Sequence, residues 1–160
     1  IKYGKLVDKI DSREAMSYNL LSNKVNKGTL EISNPQDENG FITLEILGNN
    51  TNSSLIYDKE RIKLIKDLKI KVSIAEIQGR AIVDKELLDY IKASKEKEVE
   101  SYLQNSFKKY KEQGIDVFDI GRLLNINYPK ETIEDPIRIT DLEVNVNLII
   151  EGTGIVKDSL

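Results

Sequence analysis

The 160-residue chain contains no cysteine, no histidine and no tryptophan. Each absence closes off chemistry. Without cysteine there is no disulfide, no thiolate nucleophile and no thiolate-held metal, and the redox compartment stays undetermined. Without histidine the commonest general base and the commonest metal ligand are both missing. No apolar run approaches the ~20 residues that cross a bilayer. No signal-peptide pattern is readable, and the opening at Ile1 in a strand-like stretch reads as part of something longer. Basic residues do not outnumber acidic ones: 24 Lys and Arg face 27 Asp and Glu, a net charge of -3. Nucleic-acid binders draw on a basic excess, so that class is disfavoured.

What is present is a globular pattern. Apolar residues make up 39% and charged residues 32%. A chain of this length suits one domain over 1–160 and can bury roughly 70% of its unfolded surface. Two stretches alternate with a period of two. In 62–77, Ile62, Leu64, Leu68, Ile70, Val72 and Ile74 alternate with Lys63, Asp67, Lys69, Lys71 and Ser73. Near the end, Leu142, Val144, Val146, Leu148 and Ile150 alternate with Asp141, Glu143, Asn145 and Asn147. Such strands bury one face and wet the other, as in an antiparallel sheet. Their opposite wet-face charges predict that they are neighbours.

Between them the period becomes helical. Asp84 can cap a helix running to about Gln113, with Gly114 past its end. Leu87, Ile91, Val99, Leu103 and Phe107 fall at multiples of four, and the polar stretch 92–98 interrupts that stripe. A second helix is expected from about Val117 to Asn125, stopped by Tyr128-Pro129. Residues 1–10 read as strand, turn and strand. A short helix is expected over 12–23, then a strand at 29–33 and a turn at 34–40. A strand follows from Phe41 to Leu47. GNNTNSS after it reads as a bulge or a loop before extended structure resumes at Leu55. The pattern is α+β: an antiparallel sheet covered on one face by a long helix plus shorter ones.

Candidate chemistry is thin. Ser94/Lys97 and Ser106/Lys109 have serine–lysine spacing but fall on a helix face with nothing to bury the lysine. Carboxylate pairs such as Asp116/Asp119 and Glu134/Asp135 are abundant, yet nothing sets two across a cleft. Residues 34–40 are acidic but lack the ligand spacing of a calcium loop. Gly152 and Gly154 follow a strand with no helix after them, which is no phosphate cradle. Asn49 and Asn52 begin glycosylation-type triplets and read as ordinary loop residues. Catalytic, cofactor and metal residues are therefore none.

The order of several segments resembles the C-terminal domain of the Ger(x)C spore-germination lipoproteins, the C subunits of germinant receptors. The segments are GKLVDKIDSREAMSYNLLSNKVNKGTLEI at the start, the lysine-alternating strand ending LKIKVSIAEIQG, and the long charged helix. Most specific are Asp116, Phe118 and Gly121, then Tyr128 and Pro129, followed by the closing strand LEVNVNLIIEGTGIV. The helix-entry Arg13-Glu14 sits one position off the pattern, and Glu151 and Gly152 stand where a basic residue is usual. The resemblance implies a non-enzymatic receptor domain that works by protein contact and uses no cofactor. Its partners would be the membrane-integral receptor subunits and other domains of the same lipoprotein. The implied location is the extracytoplasmic side of the spore inner membrane, reached through a lipid anchor outside these residues. A different class, a small extracytoplasmic hydrolase or carbohydrate-binding domain, would instead need a pocket with convergent polar groups.

Overall fold

The computed structural model describes residues 19–20 and 27–153. The expected strand–turn–strand over 1–10 lies outside the described residues. So does the 12–23 helix, apart from Asn19 and Leu20, which are helical. Strands β1 (Thr29–Ser33), β2 (Phe41–Tyr57), β3 (Ile62–Ile77) and β4 (Thr140–Thr153) form one sheet in that order. Helices α1 (Lys85–Gln113) and α2 (Ile120–Asn127) and a 3₁₀ turn (Pro136–Ile139) connect β3 to β4. The class is α+β.

The sheet is mixed, which corrects the expectation of a wholly antiparallel one. β1–β2 and β2–β3 are antiparallel, whereas β3 and β4 run parallel with Ile62 opposite Thr140 and Ile70 opposite Leu148. Alternation reports which face is buried and carries no record of direction. Direction is set by the connection. α1 has 29 residues and spans roughly 44 Å, enough to carry the chain back past the sheet so that β4 starts beside the start of β3.

β2 is one strand of 17 residues, with the pairing register shifted between Ile46 and Gly48. Leu47 is the extra residue of a bulge, and one extra residue exchanges the faces. Before it Ile42, Leu44 and Ile46 are buried; after it Leu55 is buried and Leu47 itself is exposed. Asn49, Thr51 and Ser53 thereby turn toward the covered side of the sheet.

α1 starts and stops where its capping residues stand. The Asp84 carboxylate accepts the Leu87 N–H at 2.9 Å. At the far end Gly114 adopts φ 66°. Its N–H bonds the Lys111 carbonyl and that of Ile115 bonds Tyr110, closing a Schellman motif. The buried stripe is Leu87, Ile91, Lys95, Val99, Leu103 and Phe107, so Lys95 continues the four-residue spacing through the polar stretch. Its ammonium donates to the Glu31 carbonyl of β1 at 2.5 Å and meets Glu98 at 2.7 Å.

The neighbouring face of α1 lies along the open edge of β4. Lys92 donates to the Leu148 carbonyl at 2.8 Å and Glu96 accepts the Leu148 N–H at 2.9 Å. Glu100 accepts the Val146 N–H at 3.2 Å and Gln104 donates to the Leu142 carbonyl at 2.9 Å. Lys111 donates to the Thr140 carbonyl at 2.8 Å. Four of these residues follow i, i+4 spacing, one helical face. Charge-assisted bonds of this kind are stronger than neutral ones. Truncating Glu96 to Ala strands the Leu148 N–H, and urea unfolding is expected to show a loss of about 1–3 kcal/mol. The exposed control Lys97→Ala should stay within about 0.5 kcal/mol.

Candidate docking surface

The motif residues are brought together as a joint between α2 and the rest of the domain. α2 begins at Ile120, three residues later than its apolar pattern predicts. Its N-cap position, Asp119, has φ 60° and makes no side-chain cap. Asp116 supplies the cap from outside: one carboxylate oxygen accepts the N–H groups of Phe118 and Ile120 at 3.3 and 3.0 Å, and the other accepts that of Gly121 at 2.8 Å. Phe118 is buried edge-on against Phe107 of α1, with centroids 5.2 Å apart. Tyr128 stands edge-on to Tyr57, and its hydroxyl accepts the Tyr57 N–H at 3.1 Å. Pro129 follows, exposed.

Gly121 is not a close-packing glycine of a helix interior. It is the second residue of α2, and a Cβ there would meet only Asp116 Oδ2, at 3.4 Å. No backbone crowds it.

The charged surfaces are largely engaged within the domain. Lys92, Glu96 and Glu100 serve the β4 edge, so the helix segment 92–100 is not the free charged face that its composition suggests. On the outer sheet face Lys63 pairs with Glu143 at 2.6 Å and Lys71 with Glu151 at 3.2 Å. Arg61 holds Asp141 through two bonds, at 2.6 and 3.1 Å. Asn145 donates to Asp67 at 2.8 Å. These contacts agree with the expected pairing of the two charged strands. They also keep the Asp141 and Glu143 carboxyls below the usual carboxylate range, chiefly through hydrogen bonds from Arg61 and Lys63 respectively. A shallow depression of about 700 Å³ is lined by Ile56, Arg61, Lys63, Gln104, Asp141 and Glu143 among others. Its charged groups already satisfy one another.

Two features escaped the sequence reading. Lys66 sits in phase with Leu64 and Leu68 on the buried face and is 4% exposed. It donates to Ser53, its cross-strand partner, at 2.7 Å. The skipped even position in the lysine-rich strand was the available signal. This serine–lysine pair does not line the depression. The second feature is apolar. Ile82 and Val83, adjacent in the loop before α1, are 72% and 42% exposed; Phe41, Tyr90, Leu47, Ile56 and Ile126 are exposed at other positions. Among the described residues, no group of three or more acidic side chains could hold a metal ion, and no helix is long and apolar enough to cross a membrane.

The family model for spore germination B3/GerAC-like proteins, C-terminal, matches residues 1–154. The chain belongs to that family. Comparison with curated proteins gives no match. Among solved structures, the crystal structure of the GerBC protein superposes with a TM-score of 0.78 at 17% identity, over 93% of this chain. That likeness shows a shared fold. The chain spans about half of the GerBC chain, 48%.

In this GerAC-like domain, burial pushes the Lys66 ammonium below its ordinary 10.5. The carboxylates of Asp119 and Asp116 oppose the shift and Arg122 adds to it. A lowered lysine pKa means that the unfolded chain holds the proton more tightly, so the charged form costs stability and the cost fades as pH rises toward 10.5. Lys66→Met is therefore expected to match or exceed wild-type stability at pH 7. Its advantage should shrink as pH rises toward 10.5, as read by urea midpoints; an advantage independent of pH would contradict the buried charge.

The α2 joint gives a second test. Asp116→Ala should lower stability by about 0.5–2 kcal/mol through the lost cap. Gly121→Ala should shift it by less than about 1 kcal/mol, toward gain. Melting temperatures of the two variants separate a capping role from a close-packing role.

Proposed function

We propose that this domain is the C-terminal part of the C subunit of a nutrient-germinant receptor, and that it acts by protein contact rather than by catalysis. The observation that carries the reading is membership of the spore-germination family over residues 1–154. The surface supports it. Arg61, Lys63 and Lys71 of the sheet face are held in pairs with Asp141, Glu143 and Glu151, and the charged groups lining the shallow depression are already engaged. Exposed apolar side chains remain as well, Ile82 and Val83 foremost, with Ile56 and Ile126 elsewhere on the surface.

In this reading the subunit is a lipoprotein on the extracytoplasmic side of the spore inner membrane, anchored by a lipid outside these 160 residues. Residues 1–160 are one domain of it. Its partners are the membrane-integral receptor subunits and the other domains of the lipoprotein, and no cofactor takes part. Asp116, Phe118, Gly121, Tyr128 and Pro129 serve as structure, fixing α2 to the sheet and to α1. Calorimetric titration of candidate germinant amino acids and sugars at millimolar concentration is expected to give no saturable heat. Saturable heat with one-to-one stoichiometry would move the germinant site into this domain.

A further inference from the structure

The exposed Ile82–Val83 pair carries an inference about partner chemistry that rests on the protein-contact reading above. The loop bearing Ile82 and Val83 is held by the turn at 34–40. The Gln36 amide clasps Ile82 twice, accepting its N–H at 2.8 Å and donating to its carbonyl at 3.2 Å. Asp37 accepts the Arg80 N–H at 3.0 Å. Asn34, itself buried, donates to the carbonyls of Gln78 and Arg80 at 3.2 and 3.1 Å. Two glycines make the fit. A Cβ on Gly40 would stand 2.1 Å from the Gln78 carbonyl oxygen, and Gly79 has φ 87°. A loop gripped this closely has already lost the freedom that binding would otherwise remove. It holds two aliphatic side chains out into water.

Among the described residues, the surroundings are acidic. Glu38 from the turn, Glu76 from the end of β3, and Glu86 and Asp89 from the start of α1 are all exposed, against Arg80 and Lys85. Lys85 and Asp89 pair with each other, which leaves Glu38, Glu76 and Glu86 against Arg80. This charge selects the occupant. A second copy would bring the same acidic rim, and like charges across a contact are strongly disfavoured. An anionic lipid surface attracts basic segments, not acidic ones. An aliphatic centre inside an acidic rim fits a protein segment that presents an apolar side chain flanked by Lys or Arg. We propose that the braced Ile82–Val83 loop is the docking site for such a basic, apolar segment of a partner protein.

The test places a photo-crosslinking benzoylphenylalanine at position 82 of the full-length lipoprotein in its native membrane. Mass spectrometry then identifies the linked segment. A link to another protein, within a stretch holding lysine or arginine beside apolar residues, is the expected result. A link to a second copy, to lipid or to a segment without basic residues overturns the proposal, as does the absence of any link. Ile82→Ser and Glu86→Lys complete the test. Both positions are exposed, so melting should hold for Ile82→Ser and fall only slightly for Glu86→Lys, which puts a cation in the first turn of α1, while the yield of co-purified membrane-integral subunits should fall by roughly tenfold for either. Wild-type yield from both variants would sink the loop proposal and leave the receptor reading standing. Failure of the unmodified lipoprotein to bring down any receptor subunit would instead sink that reading.

Discussion

A strand at the edge of a sheet leaves every second N–H and C=O without a partner, an invitation to pair with another chain. β4 answers it with side chains. Lys92, Glu96, Glu100 and Gln104, one helical face of α1, meet its open backbone groups in turn, and Lys111 continues the row. One face further round, Lys95 reaches the Glu31 carbonyl of β1 at the opposite margin of the sheet. Backbone bonds from Ile46 N–H to Gly28 and from Asn34 N–H to Gly40 turn the even residues of β1 toward β2, so the Glu31 carbonyl is on the free side. The same helix thus attends to both margins while its apolar stripe covers the sheet. The placement of β4, the parallel crossover and the position of α2 depend on it.

This arrangement explains how far the fold could be read from residues. Asp84, Gly114 and the alternation of 62–77 mark element ends because capping, positive φ and the two-residue period are local. The family motif was legible as a motif, while its work was not. Asp116 caps a helix that begins four residues later, and Gly121 answers to that carboxylate rather than to a packed neighbour. Lys95 and the 92–100 segment read as solvated charge, because helical spacing does not reveal that an edge strand lies alongside. Direction also escaped, since β3 and β4 have the same alternation whether parallel or antiparallel. The run GNNTNSS was ambiguous for a related reason: whether a polar run is loop or strand is settled by its partner, here the continuous β3.

Charge in this domain does three separate jobs. On the outer sheet face it is spent in cross-strand pairs worth little individually at such exposed positions. Along α1 it closes backbone edges. Around Ile82 it stays unbalanced, acidic around an apolar centre. The first two uses leave little for a partner to recognise, so selectivity falls to the third.

The parallel pairing of β3 and β4 also has a cost in time. Ile62 and Thr140 are neighbours in space but are separated by the whole of α1, α2 and the 3₁₀ turn. On a ribosome, β3 emerges with β2 on one side and an open edge on the other, and that edge stays bare until β4 follows. Long-range parallel pairing closes slowly. Through that interval Lys63 and Lys71 lack the Glu143 and Glu151 that later pair with them, and charged lysines along a bare edge disfavour pairing with other nascent strands. The ion pairs that contribute little to the finished fold therefore have unpaired halves that keep the unfinished one from aggregating.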